Sequence, residues 1–168
     1  MTAVNEKAKR MNDPHVLPEK SAVPEYKEWL RYAQMDFDSA EYLSRMPYEP
    51  LPLEIICYHC QQSAEKAVKA LIVYLGSRGG TPKIHSISFL LNQIKDILKD
   101  EYNVIISEDL YDAADMLTPY GIAPRYPSDM EIDYNDMTEA LRYAELIVDW
   151  VKQLLKESDN ISQDDNGI

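Results

Sequence analysis

The chain has 168 residues, with 29 acidic residues, 17 Lys or Arg and a formal net charge of −12. Such a length accommodates one domain with its own hydrophobic core and short tails. The negative charge opposes non-specific nucleic-acid binding, because that binding depends on neutralising phosphates, but it permits a local cationic pocket.

Both ends of the chain are predicted to lie outside the folded domain. Residues 1–23 are polar, contain two prolines and show no sustained apolar period, which predicts a flexible leader. Residues 158–168 are predicted to form a disordered acidic tail, so that 24–157 remain as one helical domain. Because there is no signal-peptide pattern and no apolar run of bilayer length, we expect a cytoplasmic protein without membrane contact.

The first two helical patterns are well separated. Apolar residues recur every three or four positions from Trp29 to Leu43, which predicts a helix over 25–45, and prolines from Pro47 onward end it. The stretch PLEIICYHCQQSAEKAVKALIVYLG predicts a second helix that ends at Gly76.

Three further helices complete the pattern. Ser86 is a predicted N-cap of the third, Ser107 a predicted cap of the fourth, and the last is predicted over about 135–157. No stretch alternates apolar and polar residues as a strand would. We therefore predict an all-α fold, an antiparallel up-and-down helical bundle of about five helices.

The second helix carries a polar stripe beside its buried face. His59, Gln62, Lys66 and Lys69 fall together on a helical wheel, at spacings of three, four and three. Such lysines suit an anionic ligand, but they are otherwise solvated or paired with a carboxylate such as Glu65. A histidine in this position is otherwise a satisfied residue at the edge of the core.

Two cysteines, Cys57 and Cys60, lie within the apolar run of the second helix. We predict buried, reduced thiols, because a zinc site usually needs four ligands and a disulfide framework needs more cysteines. The spacing would also suit a redox motif, but the βαβ context of that motif is missing. We expect no metal and no cofactor.

Four stretches, in this order, resemble the HEPN domain family. They are WLRYAQMDFDSAEYL, CYHCQQSAEKAVKALIVYLG, KIHSISFLLNQI and LTPYGIAPRYPSD. They are similar to that family's first helix, its Gln-Gln-x-Ala-Glu-Lys-x-x-Lys-Ala helix, its His-[Asp/Ser]-Leu-like helix start and its Tyr…Arg-Tyr-Pro segment. The resemblance covers about residues 25–157.

The resemblance implies a small helical bundle that often forms a homodimer and associates with nucleotides or RNA. It also implies a minimal nucleotidyltransferase as a partner, often in a toxin–antitoxin pair. Many family members are metal-independent ribonucleases with an Arg-x(4–6)-His motif. Arg125 has no histidine at that spacing, because the only histidines are His15, His59 and His85. The nucleotidyltransferase-associated branch is therefore the better match.

Arg125 lies in a stiff loop between prolines, in the sequence PYGIAPRYPSD. Its planar guanidinium would suit a phosphate, and the prolines would hold it in place. The alternative is a structural tie to a carboxylate such as Asp129. Tyr120 and Tyr126 flank it, where they either stack on a base, accept a nucleotidyl group or simply pack. His85 stands directly before a helix, where it either caps the helix or hydrogen-bonds a nucleotide in a cleft.

Three hypotheses remain open. In the preferred one the chain is a nucleotide- or RNA-binding module, it carries no catalytic residue, and catalysis belongs to the nucleotidyltransferase partner. The second is a divergent metal-independent ribonuclease that uses Arg125 with His59 or His85. The third is a purely structural oligomerisation partner. The residues expected to contact the ligand are Lys66, His85, Arg125, Tyr126, Tyr120 and His59.

Overall fold

The computed structural model describes residues 25–47, 49–76, 83–122 and 130–164, with the last helix's side chains described as far as Lys156. These residues form five α-helices and no strand, which confirms the predicted all-α bundle. The helices are α1 (Glu25–Ser44), α2 (Leu53–Tyr74), α3 (Ile87–Tyr102), α4 (Glu108–Leu117) and α5 (Tyr134–Asp164). A short 3-10 helix, Thr118–Gly121, follows α4 directly.

Helix α2 is the central element, because it contacts each of the other four α-helices and the 3-10 helix. It lies against α1 through small residues on both sides, with Ala33 and Ala64 fully buried. The Ser63 hydroxyl donates to the backbone oxygen of Ala33 at 2.8 Å, a contact that requires the two helices to approach closely. Small residues on the buried face of α2 therefore allow close packing within the bundle.

The helix ends follow local chemistry. The Ser86 side chain accepts a hydrogen bond from the Phe89 backbone N–H at 3.3 Å, which confirms this residue as the N-cap of α3. Ser107 occupies the N-cap position of α4 but makes no side-chain capping bond. Gly76 follows α2 with φ +68°, a left-handed conformation that glycine adopts without strain.

Two stretches differ from their predictions. The predicted proline-rich loop begins with the 3-10 helix. Pro119 is tolerated in the first turn of that helix, because a backbone N–H at this position would have no partner within the helix. Helix α5 continues to Asp164, into the segment predicted as a tail from residue 158. The chain has no proline or glycine between Pro127 and Gly167 that would stop the helix. The predicted leader, residues 1–23, lies outside the described residues.

Both cysteines are free thiols and fully buried in the core. Burial raises the pKa of Cys57 to about 12, with smaller contributions from nearby acidic side chains. Burial likewise raises the pKa of Cys60. Because the thiolate is the reactive form, neither thiol is a nucleophile at neutral pH. No helix in the described part of the chain is long and apolar enough to cross a bilayer.

Candidate functional site

A buried polar network lies along α2, where an apolar core would be the norm. The Glu65 carboxylate accepts hydrogen bonds from Lys69 Nζ at 2.7 Å and from Gln61 Nε2 at 2.8 Å. The side chains of Glu65 and Lys69 are only 5% and 8% exposed. The Lys69 ammonium also lies 5.7 Å from the ring centroid of Trp29 on α1. Each charge in this part of the core therefore has a close partner.

The partners of Glu65 decide its ionisation. Burial by itself would raise the pKa of the carboxyl, but hydrogen bonds from Lys69 and Gln61 outweigh that effect, together with the positive charges of Lys69 and protonated His85. The pKa of Glu65 is therefore lower than its ordinary value. A buried carboxylate that stays ionised is a fixed negative charge beneath the protein surface.

His85 connects this network to the surface. Its Nδ1 lies 3.2 and 3.3 Å from the two carboxylate oxygens of Glu65, while its side chain is 60% exposed. The Gln61 side chain also donates to the His85 backbone oxygen at 3.3 Å. Because a carboxylate only accepts, Nδ1 carries the proton, and Nε2 is the ring nitrogen that a ligand could contact. His85 thus resembles the carboxylate-oriented histidines of binding and catalytic sites.

The 3-10 helix brings the next segment of chain to the same place. A Cβ added at Gly121 would lie 3.1 Å from the Gln61 side chain, so this glycine permits close contact with the network. Arg125 and Tyr126 lie outside the described residues. In the sequence they follow Gly121 by four and five residues, so the glycine that contacts Gln61 comes shortly before the segment that carries them.

Tyr120 is packed in the core and 8% exposed. Burial, together with smaller contributions from the charges of Cys57 and of acidic neighbours, raises its pKa to about 12. The hydroxyl is therefore protonated at neutral pH. The low exposure of Tyr120 favours a packing role over stacking on a base.

His59 and Lys66 belong to a second cluster, around Asp36 of α1. The two carboxylate oxygens of Asp36 lie 2.9 Å from His59 Nδ1 and 2.5 Å from Lys66 Nζ. All three side chains are partly exposed, at 15% for Asp36, 25% for Lys66 and 28% for His59. Lys66 therefore has the ion pair that was the structural alternative for it. Of the predicted site residues, His59 and Lys66 thus lie in the cluster at Asp36, and His85 lies in the cluster at Glu65.

Four residues of these clusters were not among the residues expected to contact the ligand: Asp36, Gln61, Glu65 and Lys69. Gln61, Glu65 and Lys69 belong to the quoted Gln-Gln-x-Ala-Glu-Lys-x-x-Lys-Ala stretch, so a signal for them was present in the sequence. No local spacing connects Asp36 with its partners on α2, which lie 23 and 30 residues away in the chain. Within the described residues, no group of three or more His, Cys, Asp or Glu side chains is placed to hold a metal ion.

These features define a class of protein, a small helical bundle whose central helix carries a buried ionic network that reaches the surface at one histidine. The family model of the HEPN domain matches residues 26–154. The chain therefore belongs to the HEPN domain family, as the motifs in its sequence predicted.

Two crystal structures have a similar fold. One is an archaeal HEPN homologue, with 27% identity and a TM-score of 0.56 over 77% of this chain and 96% of that one. The other is a protein from Thermus thermophilus, with 26% identity and a TM-score of 0.60 over 78% of this chain and 98% of that one. No curated protein sequence matches the chain.

Proposed function

We propose that this chain is a nucleotide- or RNA-binding HEPN module whose site lies where His85 meets the segment carrying Arg125. One observation carries the proposal: an exposed imidazole is fixed against a buried, ionised Glu65, beside the start of that segment. A protonated His85 and an arginine fork would together offer charge-assisted hydrogen bonds to a phosphate. Tyr126, next to Arg125 in sequence, would lie near the bound base.

The biological setting follows from the family resemblance. The module acts as a homodimer, and its partner is a minimal nucleotidyltransferase that supplies catalysis. In this proposal the module and the nucleotidyltransferase form a toxin–antitoxin pair. Sedimentation as a monomer at concentrations of tens of micromolar would contradict the homodimer. Failure of the chain to co-purify with a co-expressed minimal nucleotidyltransferase of the same organism would contradict the partnership.

Calorimetric titration of the purified chain with ATP and with a short RNA tests the proposed site. We expect binding by the wild type and loss of binding in Arg125→Ala, because the variant lacks the phosphate fork. Lys66→Ala is the matched control, since it also removes one positive charge, but from the cluster at Asp36. Each variant must keep the wild-type melting temperature.

Two results of this titration would count against the proposal. If neither ATP nor RNA binds the wild type, the hypothesis of a purely structural oligomerisation partner is favoured. Arg125 would then serve only to connect its loop to a neighbouring carboxylate. If Lys66→Ala loses binding while Arg125→Ala retains it, the site lies at the Asp36 cluster instead.

The contact between His85 and Glu65 also favours a second candidate function, a divergent metal-independent ribonuclease. A histidine oriented by a carboxylate can accept a proton from a ribose 2′-hydroxyl, and such general-base catalysis typically contributes about 10²–10⁴-fold. Under this hypothesis the pure protein cleaves RNA in the presence of a chelator, and His85→Ala lowers the rate by about that factor. Equal cleavage by a mock purification, or by His85→Ala, would eliminate it.

A further inference from the structure

A groove of about 460 Å³ runs between α1 and α5, lined only by residues of these two helices. Its floor is apolar and built on the core. Leu155 is 4% exposed, Leu30 packs on the core cluster, and Tyr26 lies edge-on against Tyr74 with ring centroids 5.1 Å apart. The groove shares no residue with the clusters at Glu65 and Asp36. It is therefore a separate surface feature with a well-supported floor.

The rim of the groove is cationic, although the chain as a whole is strongly acidic. Four of the 17 Lys and Arg residues of the chain line it. They are Lys27, Arg31, Lys152 and Lys156. These four side chains concentrate positive charge on one surface of a chain whose net charge is −12.

The contacts of two of these cations show how much of that charge is balanced. Arg31 pairs with Glu28 at 3.0 Å and lies over the Tyr32 ring, with its guanidinium carbon 4.5 Å from the centroid. Lys152 donates to the neutral side-chain oxygen of Gln34, so its charge is not cancelled by that contact. With Lys27 left out of the count and Arg31 balanced by Glu28, Lys152 and Lys156 give the rim a charge of +2 (four cations minus these two).

We propose that this groove binds an acidic amphipathic helix of a protein partner. Apolar side chains on one face of the helix occupy the floor formed by Leu30 and Leu155, and flanking carboxylates pair with the lysines of the rim. Helix-in-groove recognition uses this combination of apolar anchors and charged flanks. The proposal does not depend on the nucleotide site at His85.

The chemistry of the groove favours this occupant over two others. The backbone of RNA would satisfy the cations, but it brings no apolar group for the leucines of the floor. The N-terminal part of this chain lacks the complementary charge, since residues 1–23 contain four Lys or Arg and three acidic residues. An acidic helix with leucines every three or four residues matches both the floor and the rim.

The full chain can be titrated calorimetrically with a synthetic Leu/Glu amphipathic peptide of about 14 residues, which spans about 21 Å as a helix. We expect binding that weakens as salt is added, and no binding by the same peptide with lysine in place of glutamate. The double variant Lys152→Glu/Lys156→Glu should lower the affinity at least tenfold. The control is Lys95→Glu/Lys99→Glu on α3, which reverses two exposed lysines at the same spacing.

Three results would overturn the proposal. Equal loss of affinity in the control pair would show a general charge effect rather than a site. Tighter binding of oligouridylate than of the peptide, lost in the Lys152/Lys156 variant, would assign the groove to nucleic acid. A wild-type dimer in sedimentation that dissociates in that variant would assign it to a second copy of the chain.

Discussion

The substitution Glu65→Gln is expected to destabilise the protein by about 3–5 kcal/mol, the usual effect of removing one partner from a buried ion pair. Glutamine has nearly the shape of glutamate, so the packing is preserved and only the charge is removed. The Lys69 ammonium, 8% exposed, then remains in the core without a counter-charge. Urea unfolding followed by circular dichroism measures the difference.

The matched control is Glu41→Gln, because Glu41 and Arg45 form an ion pair at the same i,i+4 spacing on the exposed side of α1. Exposed pairs of this kind contribute at most about 1 kcal/mol. The double variant Glu65→Gln/Lys69→Met should recover most of the lost stability, since an apolar side chain then replaces the unpaired ammonium. A Glu65→Gln effect no larger than that of Glu41→Gln would mean that water reaches Lys69.

The same pair makes stability depend on pH at the acid end. The pKa of Glu65 is lower in the folded chain than its ordinary value of 4.5. Its contribution to stability is therefore fully present above about pH 4.5 and is lost as the pH falls through the folded value. The stability difference between wild type and Glu65→Gln should accordingly shrink below pH 4.5.

The helices were predictable because each depends on local signals. The period of apolar residues sets the buried face of α1, and Ser86 and Gly76 mark helix ends through backbone chemistry that neighbouring residues determine. Helix α5 extends beyond its predicted end. Weak helix formers such as Ser158 lower helix stability only slightly, whereas a proline would have ended the helix.

The site was less predictable because it depends on contacts between distant parts of the chain. The sequence groups Lys66 and Lys69 on one stripe, yet the fold pairs Lys66 with Asp36 of α1 and buries Lys69 against Glu65. Periodicity describes which residues share a face, but it does not state which neighbouring helix will cover that face. Among the predicted site residues that the structure describes, only His85, at the start of α3, is both exposed and bound to the buried network.

The substitution His85→Gln is expected to weaken the binding of a phosphate ligand about 10- to 100-fold, since a hydrogen bond that involves a charged group contributes about 1.5–3 kcal/mol. The Glu65 carboxylate holds the imidazole through Nδ1, and glutamine has no second ring nitrogen to present to the ligand. Calorimetric titration of wild type and variant with ATP measures the difference.

The control for this prediction is His59→Gln, which removes the other partly exposed imidazole in the described residues, the one bound to Asp36. It should retain the affinity of the wild type. If His85→Gln keeps the wild-type affinity while His59→Gln abolishes binding, the imidazole that governs binding belongs to the Asp36 cluster. The buried Glu65–Lys69 pair would then have a structural role only, and the ligand would lie over the α1–α2 face instead of the start of α3.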